Sequence, residues 1–256
     1  MSGPRHFLLV LALCARCLGA DEAAWVPQPA ARDVVASGPF VYFASSEARI
    51  VFSISGSPQD FAAELWQRAG SMAIPLQKSQ EAKREVSEDK LTVAVTFLCP
   101  ATEKPLHLVL RLVAAAVAGS SRPVLGKAEI EVVPRRLLGG AWAGRTAWLP
   151  SSMGAVKSEF EGQGIRVVST SGGLPASGDW KGIAFLGTSK TGPRKPSSLG
   201  AGQVVVIPGP ASPLLSAERW PCGAGALVVL HESLFARLAT DAAAQKLLVR
   251  LTADNP

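Results

Sequence analysis

Apolar and polar positions alternate along residues 40–134, then give way to continuous apolar runs over 145–252. Leu91, Val93, Val95 and Phe97 alternate with Thr92, Ala94 and Thr96. Leu106, Leu108, Leu110 and Leu112 alternate with polar His107 and Arg111. Ala128, Ile130 and Val132 alternate with Lys127, Glu129 and Glu131. A period of two puts one face of a strand in a core and the other in water. Phe40–Ala44 and Ala48–Ile54 read as further strands, with turns at Gly56-Ser57-Pro58 and Gly119-Ser120-Ser121. Five or more such strands predict an Ig-like β-sandwich over 40–136, without the Cys…Trp…Cys signature of antibody domains. The charged stretch Lys78–Lys90 reads as a long exposed hairpin loop. Trp66, beside Leu65 in Phe61–Gln67, is expected in the core rather than as a carbohydrate platform, and His107 on the wet face.

The second half predicts an α/β domain over 145–254. Pro134–Gly140 closes the sandwich and starts a hinge. Arg145–Leu149 is a short strand, Pro150-Ser151-Ser152 a turn and helix cap, and Met153–Gln163 a helix ended by Gly164. Val156 and Phe160 form its inner edge. Strands follow at Ile165–Ser169, Trp180–Leu186, Gly202–Ile207 and Ala224–Leu230, then a helix at Asp241–Thr252. The last three strands carry continuous apolar stretches rather than alternating ones, the mark of parallel strands covered by helices on both faces.

The start of the chain has the three-part layout of a secretory signal: basic Arg5, an apolar run Phe7–Leu13, and Leu18-Gly19-Ala20 before Asp21. Cleavage is expected near Ala20, giving a secreted or periplasmic protein with no stable membrane anchor. The apolar run is shorter than the roughly 20 residues a span needs. Residues 21–39, with Val26-Pro27-Gln28-Pro29, read as an extended leader. Of 4 Cys, two lie in the signal. Cys99 and Cys222 are expected to be free thiols, since two cysteines are no disulfide framework. The net charge is +6, and two of the basic residues, Arg5 and Arg16, fall in the signal. The rest are scattered without interleaved aromatics, which excludes a nucleic-acid face.

Leu149–Gln163 followed by Gly164-Ile165-Arg166-Val167-Val168 resembles the opening strand–helix–strand of the class I glutamine amidotransferase-like superfamily, a flavodoxin-like fold. Asp179–Gly187 and Gly202–Pro208 are similar to its later strands. The resemblance covers roughly the last 110 residues. Bacterial secreted proteins often pair such a domain with a β-sandwich. Active members place a cysteine on a G-x-C-x-G elbow with a His-x-Glu dyad. Here Cys222 lies in Trp220-Pro221-Cys222-Gly223-Ala224, without the flanking glycines, and His231-Glu232 lacks the middle residue. If Ala224–Leu230 is one strand, Cys222 and His231 stand on the order of 20–30 Å apart, whereas a nucleophile and its base must lie within about 3 Å.

Other chemistries fare no better. Gly187–Gly192 follows a strand, but Pro193 and Pro196 stand where a phosphate loop needs a helix. Ser171-Gly172-Gly173 is a turn, and no Gly-x-Ser-x-Gly elbow is present. His6, His107 and His231 make no metal cluster, so neither metal nor cofactor is expected. Ligands of open parallel sheets sit beyond the carboxyl ends of the strands. That places a candidate ligand site at Ser151, Thr188, Ser189, His231 and Glu232, with no catalytic residue assigned. The resulting expectation is an exported, non-catalytic binding or accessory protein for a protein or carbohydrate ligand. The alternatives are a cell-envelope hydrolase using His231 and Glu232, and a structural subunit of a secreted assembly.

Overall fold

The computed structural model describes residues 34–54, 61–80, 82–87, 90–114, 123–175, 178–187, 196–209 and 217–253. The first half forms nine strands: β1 Val34–Ser37, β2 Val41–Phe43, β3 Glu47–Ile54, β4 Phe61–Ala69, β5 Met72–Gln80, β6 Ala82–Ser87, β7 Lys90–Leu98, β8 Leu106–Ala114 and β9 Val124–Val133. They make a four-stranded sheet, β1-β3-β7-β6, and a five-stranded sheet, β2-β9-β8-β4-β5. Lettered in chain order, these are A-B-E-D against G-F-C-C′ with β2 added at the G edge, the strand arrangement of immunoglobulin sandwiches. One core fills the gap. Ile50 and Phe52 of β3, Val93 and Val95 of β7, and Leu108, Leu110 and Leu112 of β8 are all fully buried in it. Each such side chain contributes on the order of 2 kcal/mol by leaving water. The alternation read from the sequence therefore faces inward as expected.

Three details differ from the sequence reading. Val34–Ser37, expected in the leader, is a strand paired with Ser53 and its neighbours on β3. Lys78–Lys90, expected as a loop, supplies the end of β5 and all of β6. Among the described residues β6 pairs with β7 alone and lies at a sheet edge, a position where a charged sequence guards against pairing with another chain. Trp66 is not in the core. Leu65 takes the inward position, and Trp66 lies half-buried on the outer face. The Arg111 guanidinium lies 4.8 Å above its ring, and its Nε1 donates to Glu64 Oε2 at 3.1 Å. That cation covers a ring face on which a sugar would have stacked.

The second half builds a six-stranded sheet with four helices: α1 Leu137–Ala141, β10 Thr146–Pro150, α2 Gly154–Gly162, β11 Arg166–Thr170, β12 Gly182–Phe185, β13 Gln203–Gly209, β14 Ala217–Cys222, β15 Gly225–His231, α3 Glu232–Ala236 and α4 Ala242–Thr252. The order is β11-β10-β12-β13-β15-β14. The first five strands are parallel and β14 closes the edge antiparallel. Counting only the parallel strands, the order is 2-1-3-4-5, that of flavodoxin-like sheets. Gly182 allows β10 and β12 to approach: its φ is +135°, and a Cβ there would collide with the Thr146 carbonyl.

Helices were expected on both faces, but all four described helices pack on one. Leu138, Val156, Phe160, Ala244 and Leu248 form that core with Ile183, Phe185, Val204 and Val228. The other face is covered by Trp180 and Leu199, which lie outside the described helices, over Val205, Ile207 and Leu227. Trp148 and Trp180 meet edge to face at 5.1 Å. The segment expected as a hinge is partly helical. α1 follows β9 after three residues, and Leu138 and Trp142 are buried. Where the two halves meet, Phe43, Val133 and Ala242 bury one another with Val41 and Leu137, and Lys246 of α4 pairs with Glu131 of β9.

Candidate functional site at the junction of the two halves

Of the residues singled out at the carboxyl edge of the parallel sheet, Ser151, His231 and Glu232 are described, and Ser151 lies apart from the other two. Ser151 is exposed, and its hydroxyl donates to the Thr170 carbonyl at 3.2 Å. His231 ends β15, opposite Gly209. Between β10 and β15 lie β12 and β13, which puts Ser151 and His231 about 14 Å apart at ordinary strand spacing. His231 caps α3: its Nδ1 accepts from the Ser233 amide at 3.1 Å and bonds to Ser233 Oγ at 2.7 Å. Glu232 is exposed on the first turn of that helix. Thr188 and Ser189 lie outside the described residues.

Cys222 ends β14 and precedes β15, which begins at Gly225. It pairs with Gly225, and its Sγ bonds to the Pro196 carbonyl at 3.4 Å. His231 is six residues further along β15, or about 20 Å at 3.3 Å per residue. The two do not form a dyad. Both Cys99 and Cys222 are free. Cys99 is 1% exposed, and burial pushes its thiol up to about 11, opposed by a hydrogen bond with Ser46. A thiol raised above its unfolded value of 9.0 holds its proton longer in the folded state. It contributes stability that is complete below pH 9 and lost as pH rises toward 11. Urea denaturation is expected to show a loss on the order of 1 kcal/mol by pH 10, absent in Cys99→Ala. An unchanged pH dependence in that variant would contradict the assignment.

A larger concavity lies at the junction. A cleft of about 640 Å³ is walled by Tyr42, Phe43, Ser46, Glu47 and Arg135 from the sandwich, and by Glu159, Arg237 and Thr240–Ala242 from the helical layer. A second cleft, of about 550 Å³, runs past Thr102, Glu103, Arg136 and Gly140, and also reaches Arg135. The sequence reading missed the larger cleft because its residues come from four separate stretches of chain, at 39–47, 135, 159 and 237–242. Adjacent Arg135-Arg136 at the end of the sandwich was its only local signal.

Most charges in the larger cleft are engaged. Asp241 caps α4, accepting from the Ala243 and Ala244 amides at 2.8 and 3.2 Å, and pairs with Arg237 at 2.9 Å. Glu159 accepts from Gln163 at 2.8 Å. Tyr42 donates to the Arg49 carbonyl at 2.8 Å, and burial raises its pKa. Arg135 is fixed at one end only: its Nε donates to the Ala44 carbonyl at 3.2 Å, and the guanidinium lies 5.8 Å over the Phe43 ring. Its terminal nitrogens, and the carboxylate of Glu47, have no partner among the described residues. Among those residues, no three His, Cys, Asp or Glu side chains gather to hold a metal. No described helix is long and apolar enough to cross a membrane.

No protein-family model matches the chain, and no curated protein matches it. Solved structures to which it is similar include an ICAM-5 D1–D4 ectodomain fragment, at 13% identity and a TM-score of 0.25, covering 40% of this chain and 25% of that one. The chain thus spans a quarter of that fragment. Another is the TIG domain of human nuclear factor of activated T-cells, cytoplasmic 4, at 12% identity and 0.27, covering 44% and 95%. A third comes from a structure on T cell specificity and activation by the bacterial superantigen toxic shock syndrome toxin-1, at 12% and 0.25, covering 39% and 99%. The sandwich assignment stands on the strand order described above.

Proposed function

We propose that this is an exported, non-catalytic binding or accessory protein whose ligand seat is the junction cleft. The cleft itself carries the reading. Its volume of about 640 Å³ falls within the roughly 300–1,000 Å³ of small-molecule sites, which favour the seams between structural units. Export rests on the signal layout at Met1–Ala20. The 2-1-3-4-5 strand order is in keeping with a flavodoxin-like second half, the fold that a degenerate amidotransferase-like domain would have. The hydrolase alternative is weakened because the Nδ1 of His231 is committed to the α3 cap.

A compound screen by protein NMR is expected to give hits that perturb amides of 41–47 and 237–242, with the compounds recovered unchanged. Ala239→Trp, which fills the cleft, is expected to abolish them. Hits confined to the carboxyl edge of the parallel sheet, or turnover of a hit, would overturn the reading. The assembly-subunit alternative draws support from the edge strand β5, where Met72 and Ile74 are 60% and 48% exposed. Exposed apolar side chains on a free edge favour pairing with another chain. Sedimentation of the purified protein as a monomer at high concentration would remove its homo-oligomeric form.

A further inference from the structure

The geometry points to a zwitterionic ligand of the peptide class in the junction cleft, with its carboxylate on Arg135 and its amine facing Glu47. This rests on the binding reading above and goes beyond it in naming the ligand's chemistry.

Two charges in the cleft, the Arg135 terminal nitrogens and the Glu47 carboxylate, have no ion-pair or hydrogen-bond partner among the described residues. Asp241 and Arg237 neutralise each other, and Asp241 also caps α4. Glu159 accepts from the amide of buried Gln163. Arg135 and Glu47 remain, opposite in sign and lining one cleft. They do not form an ion pair with each other, and both face the same cleft.

Arg135 is also pre-organised. The Ala44 carbonyl holds its Nε and the Phe43 ring lies beneath its plane. The two terminal nitrogens remain as a fork that fits a carboxylate bidentately. Holding the fork in place reduces the ordering cost of binding. The near balance of charge argues against a polyanion. Glu47 and Glu159 line the larger cleft, and Glu103 the smaller one beyond Arg135. A strongly negative ligand would meet them. A molecule with one negative and one positive end meets a complement at each.

The probe is trialanine, titrated by isothermal calorimetry, with trialanine amide and N-acetyl-trialanine as the arms that lack one charge each. Both arms are expected to bind at least tenfold more weakly than trialanine. Arg135→Gln is expected to remove the discrimination against the amide and keep that against the acetylated peptide. Glu47→Gln is expected to do the reverse. Arg135→Lys, which keeps the charge without the fork, is expected to fall between wild type and Arg135→Gln. Both residues are exposed, and circular dichroism checks that the variants fold. Equal binding of all three peptides, or loss of both discriminations in either single variant, would overturn the proposal. If trialanine fails to bind while other compounds perturb the cleft, the zwitterion assignment falls and the binding reading stands. If nothing perturbs the cleft, both fall.

Discussion

Phe160→Ala is expected to lower the stability of the protein by about 3–5 kcal/mol, the range for emptying an aromatic core site. Phe160 is fully buried on α2. Trp142 meets it edge to face at 5.4 Å, and Phe185 tilts against it at 5.7 Å. Removing the ring strips partners from α1, α2 and β12 at once. Side chains from three elements do not collapse together into the space, so the cavity cost adds to the lost transfer energy. The loss is comparable to a large share of the roughly 5–15 kcal/mol that holds a typical domain folded. Urea denaturation reads it directly as a shift in midpoint. A loss below about 1.5 kcal/mol would mean that this core is not where α2 docks.

Gln163→Leu is the second large effect, on the order of 3 kcal/mol. Gln163 is 5% exposed and closes α2. Its Oε1 accepts from the Leu138 and Gly139 amides at 2.9 and 3.4 Å, and so supplies the cap that α1 lacks from its own residues. Its Nε2 donates to Gln245 Oε1 at 2.8 Å, and Gln245 in turn donates to the Leu238 carbonyl at 2.9 Å. The backbone amides require the oxygen to face α1, which fixes the orientation of the side chain. Leucine fills the same space and leaves the Leu138 amide and the Gln245 oxygen buried without partners. Each such orphan costs about 1–3 kcal/mol. Adding Gln245→Leu removes one orphan oxygen but also strands the Leu238 carbonyl. The double variant is therefore expected to fall short of the sum of the two singles, showing coupling through one network. Simple additivity would mean that the two glutamines act separately.

The elements that the sequence declared were those whose burial is written in their own residues. β9 shows the period of two because Ala128, Ile130 and Val132 meet the core while Lys127 and Glu129 meet water. β13, from Gln203 to Gly209, is a continuous apolar run after Gln203 because both faces are covered. The elements that were missed lack that signature. α1 reads Leu-Leu-Gly-Gly-Ala, with two glycines that disfavour helix. It is helical because Gln163, 25 residues away, caps it and because Leu138 has a core to enter. β14 contains Pro221 and an exposed Trp220, and is a strand only because the edge of β15 accepts it. β6 is charged because it needs only one partner.

The sequence alone determined that a two-sheet β half precedes a half with parallel strands, because those patterns are local and repeat along the chain. It determined where α2 and α4 lie, expected at Met153–Gln163 and Asp241–Thr252 and found at Gly154–Gly162 and Ala242–Thr252. It also kept Cys222 and His231 apart, because an extended strand has a fixed rise per residue. Only the tertiary structure decided which face of the mixed sheet received helices, since the connections facing Trp180 and Leu199 carry no helical period. Only it moved Trp66 outward, where the choice between two sheet faces depends on strand register rather than on hydrophobicity. The junction cleft belongs to the same class. Tyr42, Glu47, Arg135, Glu159 and Arg237 are spread across the chain, and what brings them together is the packing of one half on the other through Phe43, Val133 and Ala242.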